Sequence, residues 1–167
     1  MLHKPPMLAA AGTTLLLSAA PILQAAPLDP GQLLVSEVLV NPGATSDTAG
    51  EWLELYNNST EVIDLNGLII SDDGSNSHTV TSASPLLLDP GAYFVMGRNA
   101  DEASNGGYTP DYVYSDFVLS NSADEIVLVY DGEEAFRLAY TSPDNFDPVG
   151  YAMVLQTISS DINAQSY

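Results

Sequence analysis

No cysteine occurs in the 167 residues. That excludes disulfide frameworks, thiolate metal sites, thiol nucleophiles and lipid-modified cysteines. Basic residues are almost as scarce, with three Lys plus Arg facing 22 Asp plus Glu for a formal net charge of −19 at pH 7. Nucleic-acid affinity rests largely on Lys and Arg displacing counterions, so no direct nucleic-acid partner is expected, and anionic lipid surfaces are repelled for the same reason. What is present is a hydrophobic share of 46% and nine tyrosines. A chain of this size and composition builds one domain around a packed core.

Residues 1–26 differ from the rest. They carry Lys4 and no acid, then an apolar stretch through Leu8, Ala11 and Leu15 to Leu17, then small residues ending at Ala25 and Ala26. This three-part pattern is that of a secretory signal peptide cut near Ala25. A permanent anchor is the alternative, but Gly12, Thr13, Thr14 and Ser18 interrupt the stretch, which falls short of the roughly 18 to 20 apolar residues a span needs. The expectation is a protein that is secreted, periplasmic or at the cell surface, with no stable membrane span after processing. Removing Lys4 leaves 22 acids facing only Arg98 and Arg137, a net charge of −20. Most carboxylates must then face water, accept backbone hydrogen bonds or bind cations.

From Gln32 onward, apolar runs of four to eight residues are cut by Gly, Pro, Asn and Asp, and none holds a helical period. The pattern predicts strands over 33–40, 51–57, 62–65, 68–71, 78–81, 92–97, 116–119, 125–130, 135–140 and 152–156. Asn66-Gly67 and Asp131-Gly132 are tight-turn signals, because Asn, Asp and Gly accept the positive φ such turns require. Leu53 and Leu55 fall on one face of their strand, and Trp52, Glu54 and Tyr56 on the other. Ile126 and Leu128 alternate with Val127 and Val129, which marks a central strand covered on both sides. Regular short strands point to an all-β antiparallel sandwich or barrel. The organisation expected is a signal peptide (1–26), a short linker (27–31), the β domain (32–156) and a loose C-terminal tail (157–167).

Five pieces in order carry a resemblance: Val35-Ser36-Glu37-Val38 with Asn41-Pro42; Gly50-Glu51-Trp52-Leu53-Glu54-Leu55-Tyr56-Asn57; Asp64-Leu65-Asn66-Gly67; Leu88-Asp89-Pro90-Gly91-Ala92-Tyr93; and Leu119-Ser120-Asn121-Ser122-Ala123-Asp124-Glu125-Ile126-Val127-Leu128. Together they resemble the lamin-tail domain in its bacterial, secreted form, over residues 33 to about 156. The resemblance implies an immunoglobulin-like antiparallel β-sandwich and a non-catalytic exported binding or structural module at the cell envelope or outside the cell. Family members often sit beside nuclease, phosphatase or protease domains, so the alternative is an N-terminal or accessory module of an extracellular hydrolase. Leu68 stands where many bacterial members have Trp, and the basic residues of lamin tails have no counterpart, so the lamin roles are not carried over.

No enzyme is expected. Beyond the signal segment the only histidine is His78, with no Gly-x-Ser-x-Gly elbow, and no phosphate loop with Lys exists. Asp47-Thr48-Ala49-Gly50 is one residue out of the aspartic-protease pattern. A third reading, a carboxylate-dependent hydrolase, would draw on Glu37, Glu51 and Glu54, acids set in apolar strands. No cofactor is expected, with Ca²⁺ as the one candidate: Asp72, Asp73 and Asn76 cluster oxygen ligands. That loop lacks the bidentate Glu of an EF-hand, and its other reading is a solvated turn. Trp52, Tyr108, Tyr112 and Tyr114 form a candidate binding surface, each with an alternative in ordinary packing. The expected partner is a protein or cell-surface component rather than a small molecule.

Overall fold

The computed structural model describes residues 27–159 and 161–167. The expected signal peptide lies outside them. Eleven strands follow in order: β1 (Leu33–Leu39), β2 (Trp52–Asn57), β3 (Ile63–Asp64), β4 (Ile69–Ser71), β5 (Ser77–Thr79), β6 (Leu87–Leu88), β7 (Tyr93–Gly97), β8 (Tyr112–Val113), β9 (Ala123–Tyr130), β10 (Glu133–Thr141) and β11 (Met153–Val154). Two one-turn helices, α1 (Asp47–Gly50) and α2 (Glu102–Asn105), interrupt them. No helix among the described residues is long and apolar enough to cross a membrane.

The strands form a five-stranded sheet ordered β11-β1-β2-β7-β8, a four-stranded sheet ordered β10-β9-β4-β5 and a small β3-β6 pair. All pairings are antiparallel except β7 with β8. The inner faces meet in one core, with Val35, Val38, Leu53, Leu55 and Met96 from one sheet and Ile70, Ile126, Leu128, Leu138 and Tyr140 from the other. Each such aliphatic side chain contributes roughly 1.5–3 kcal/mol by leaving water. This is the immunoglobulin-like sandwich expected. β9 is central, and Val127 on its second face is buried as well.

A β-bulge sets the facing of β1. Val35 opposes Leu55 and Val38 opposes Leu53, with the register shifting between Val35 and Glu37. Strict alternation would point Glu37 inward with Val35; the extra residue at Ser36 turns Glu37 outward and returns Val38 to the core. The Ser36 hydroxyl donates to the Glu54 carbonyl at 3.2 Å and to Glu54 Oε1 at 2.7 Å. At the β9–β10 hairpin, Asp131 and Gly132 both take positive φ, 49° and 84°, as a twist-matched two-residue turn requires. Asn66-Gly67 serves otherwise: Gly67 N–H donates to the Val80 carbonyl, so this turn leads from the small pair into β4.

Two sequence expectations need correction. Residues 116–119 do not form a strand. Asp116 takes φ 58°, and the Leu119 and Ser120 N–H groups donate to the carboxylates of Glu51 and Asp124 rather than to a neighbouring strand, although Phe117 and Leu119 are buried in the alternating manner that suggested one. The tail is docked at its C-terminal end, over residues 162–167, and not loose throughout. Tyr167 donates its hydroxyl to the Val35 carbonyl, and its ring meets Phe146 edge-on at 5.2 Å, with Phe146 stacked on Tyr140 at 4.8 Å. Burial of these rings outweighs the polar composition that made the tail look unanchored.

Candidate binding cleft

Trp52 and Tyr108, 56 positions apart in sequence, meet at one end of the five-stranded sheet, where its middle strand β2 begins, with ring centroids 6.0 Å apart and planes at 42°. The meeting depends on Gly97, which lies opposite Trp52 in the β2–β7 register. A Cβ at Gly97 would come within 2.5 Å of the Tyr108 ring, so the missing side chain is the seat that Tyr108 occupies. The Tyr108 hydroxyl donates to the Glu51 carbonyl at 3.2 Å.

The loop carrying Tyr108 is held from within. Asp101 caps α2 by accepting from Ala103 N–H, and Gly106 ends it at φ 100°, a left-handed position suited to glycine. Asn105 is buried and uses its whole amide: Nδ2 donates to the Asn99 and Tyr108 carbonyls at 2.9 and 2.8 Å, and Oδ1 accepts from Gly107 and Tyr108 N–H at 2.9 and 3.2 Å. The facing turn is tied on by Thr45, whose hydroxyl donates to the Ser104 carbonyl. Between them lies a cleft of about 300 Å³, floored by Leu39 and Trp52 and walled by Gly43, Gly106, Gly107, Tyr108 and Gly150. Aromatic faces beside exposed glycine backbone offer apolar area next to backbone polar groups. A depression of about 280 Å³ beside β10 includes Arg137, which is already paired with Asp73 and Glu134.

Beneath the cleft sits a buried carboxylate. Glu51 is fully inaccessible; its Oε2 accepts from Arg98 Nη1 at 3.1 Å and from Leu119 N–H at 3.5 Å, and its carbonyl accepts from Arg98 N–H as well as from Tyr108. Glu51 Oε1 and the Tyr114 hydroxyl, both buried, have no hydrogen-bond partner among the described residues. Burial pushes the Glu51 carboxyl up to about 7, outweighing the opposing pull of Arg98. Glu51 therefore acts as a hub joining β2, the Tyr108 loop and the segment before β9, and it is sealed from any substrate.

The other anticipated residues go elsewhere. Tyr114 is 2% exposed and packs on Phe117 at 6.0 Å, so it is a core residue and not part of a binding surface. Tyr112 is structural: its hydroxyl accepts from Thr81 N–H at 3.1 Å and lies 3.0 Å from His78 Nε2. His78 Nδ1 accepts from Ser115 N–H, and burial lowers the ring's proton affinity, which assigns a neutral ring donating from Nε2 to Tyr112. In the aspartate loop, Asp72 Oδ1 accepts from Gly74 and Asn76 N–H and Oδ2 from the Asn76 amide, while Asp73 turns to Arg137 at 2.8 and 2.9 Å. Asp72 and Asn76 stay together and Asp73 leaves them. No group of three or more His, Asp or Glu placed to hold a metal occurs among the described residues.

Gly97, Asn105 and the Glu51–Arg98 pair were not anticipated from sequence. One signal pointed to the pair: Arg98 is one of only two Lys or Arg residues after residue 26, and a buried Glu requires such a partner.

The two facing sheets, with loops gathered at one end around an aromatic cleft, define an immunoglobulin-like module. The chain belongs to the lamin tail domain family, whose sequence profile matches residues 27–142. The family is one of non-catalytic immunoglobulin-like domains. β11, which completes the five-stranded sheet, and the docked tail lie beyond the matched residues. No individual curated protein matches the chain.

Proposed function

We propose that this lamin tail domain is an exported, non-catalytic binding module acting at the cell envelope or outside the cell, with the Trp52–Tyr108 cleft as its contact site for a protein or cell-surface component. One observation carries the reading: Gly97 and the Asn105-locked loop hold two large rings beside exposed glycine backbone at a place where core packing does not require them. The acids that suggested a carboxylate hydrolase do not converge on one cavity: Glu51 is sealed and bonded to Arg98, and Glu37 and Glu54 lie opposite each other, half-buried, on the outer sheet face.

Trp52 is the only tryptophan, so its emission reports on the cleft directly. Titration of the full chain with panels of peptides and soluble oligosaccharides should give a saturable emission shift for at least one class. Tyr108→Ala should weaken it about tenfold or more while the variant keeps a cooperative thermal transition. Hydrolysis of any panel substrate that Glu54→Gln abolishes would count against the module reading. Export is checked by the mass of protein recovered outside the cytoplasm; retention of all 17.7 kDa would argue against removal of residues 1–26.

A further inference from the structure

Two carboxylates stand side by side on the outer face of the five-stranded sheet with no Lys or Arg against them among the described residues. Glu37 of β1 is directly opposite Glu54 of β2, because the Ser36 bulge brings it to this face. Two residues along β2 in one direction is Trp52, paired with Tyr108; two residues the other way is Tyr56, whose ring lies 4.9 Å from that of Tyr93. Like charges directly opposite one another on a sheet are destabilising. The pair is nonetheless positioned, with Glu54 Oε1 accepting from Ser36 Oγ at 2.7 Å. Partial burial, and secondly the charge of Glu54, make Glu37 hold its proton more tightly than usual.

Both arginines of the folded region are committed elsewhere, Arg98 to Glu51 and Arg137 to Asp73 and Glu134, and the only lysine is Lys4. Among the described residues no Lys or Arg is left for this pair. We infer that the strip docks an extended basic segment of a partner polypeptide, with a Lys or Arg side chain seated between Glu37 and Glu54 and its neighbours laid over the two aromatic pairs. The inference rests on the binding-module reading and names the partner's chemistry. Guanidinium and ammonium groups gain from carboxylates and from aromatic faces alike. From position 52 to 56 a strand advances roughly 13 Å, the reach of about four extended residues. A neutral glycan would use the rings and leave the paired charge unanswered, whereas the net charge of −19 draws a basic segment inward.

The test uses the full chain, Trp52 emission and three probes: an alternating Arg-Ala decapeptide, the same peptide with neutral citrulline for Arg, and a neutral chito-oligosaccharide. The Arg peptide should shift the emission saturably and the citrulline peptide should not. Glu37→Gln/Glu54→Gln should weaken binding about tenfold or more, equivalent to about 1.4 kcal/mol, while Glu61→Gln/Asp89→Asn, which removes the same charge elsewhere, should weaken it less than about twofold. Equal weakening by both double variants overturns the inference, because the attraction is then diffuse. A response to the oligosaccharide alone overturns the basic partner and leaves the module reading standing. No response to any probe from a chain with its normal melting curve overturns both. Should the strip variant melt early, Glu54→Gln alone carries the same comparison.

Discussion

Glu51 and Glu54 lie three residues apart on one strand and its approach, and they live in opposite worlds. Glu51 is sealed beneath the cleft with Arg98 against it, and its proton affinity is raised by desolvation. Glu54 stands on the outer face opposite a second carboxylate, with a serine hydroxyl as its donor. The buried acid is matched by the chain's own cation and works on stability. The half-buried outer pair has no Lys or Arg against it among the described residues. With two arginines as the only Lys or Arg after residue 26, where they go decides which acids are paired and which are not.

The largest effect should come from breaking the buried member. Glu51→Ala strands the Arg98 guanidinium and the Leu119 N–H in the core, and a loss of about 3–5 kcal/mol is expected in urea unfolding. Glu37→Gln on the open face should change stability by less than about 0.5 kcal/mol, since it removes only a solvent-screened repulsion.

Next comes pH. The Glu51 carboxyl sits at about 7 in the folded chain against an ordinary value of 4.5, so the folded state binds the proton more tightly than the unfolded one. Its contribution is complete below about pH 4.5 and is lost as pH rises through about 7, worth up to about 3 kcal/mol. Stability should therefore rise when pH falls from 8 to 5, with Glu37 and Asp124, both shifted upward by burial first, adding in the same direction. Glu51→Gln should remove the larger share of that slope while keeping an acceptor for Leu119 N–H. A slope left unchanged by this variant would mean that general self-repulsion, not Glu51, governs the window.

Gly97→Ala sharpens the comparison from the cleft side. The new Cβ would collide with the Tyr108 ring, so Tyr108 must leave Trp52; a loss of about 1–3 kcal/mol and a red-shifted Trp52 emission are expected, with the Glu51 titration retained. Smallest is calcium. With Asp72 bonded inside its own loop and Asp73 held by Arg137, Ca²⁺ should raise the melting temperature no more than NaCl at equal ionic strength. A saturable rise at low Ca²⁺ concentration would instead establish a site there.

Much of the sandwich was legible. Leu53 and Leu55 alternate with Trp52, Glu54 and Tyr56 as strand geometry demands, and Asp131-Gly132 predicts its hairpin, because these are local consequences of side-chain period and backbone freedom. The two-residue strands β6 and β8 were missed, since pairings that short leave no periodic trace. Residues 116–119 misled for a related reason: Phe117 and Leu119 alternate like a strand, but the backbone donors of Leu119 and Ser120 were claimed by carboxylates, Glu51 far away in sequence and Asp124 four residues on. Of the cleft, Trp52 and Tyr108 were legible as candidates, and Tyr114 was indistinguishable from them, because a tyrosine on a loop reads the same whether the loop folds outward or under.

The amino-acid order by itself determined the strand faces, the turns that need positive φ, the acidity and the membership in a lamin tail fold, all of which follow from composition and neighbours within a few residues. The tertiary structure alone decided that Ser36 forms a bulge and so sends Glu37 outward, that Gly97 makes room for a tyrosine eleven residues downstream, and that Arg98 neutralises Glu51 while Glu37 and Glu54 go without. Those outcomes depend on which segments meet across the sandwich, and the distances that set charge pairing and burial exist only once they have met.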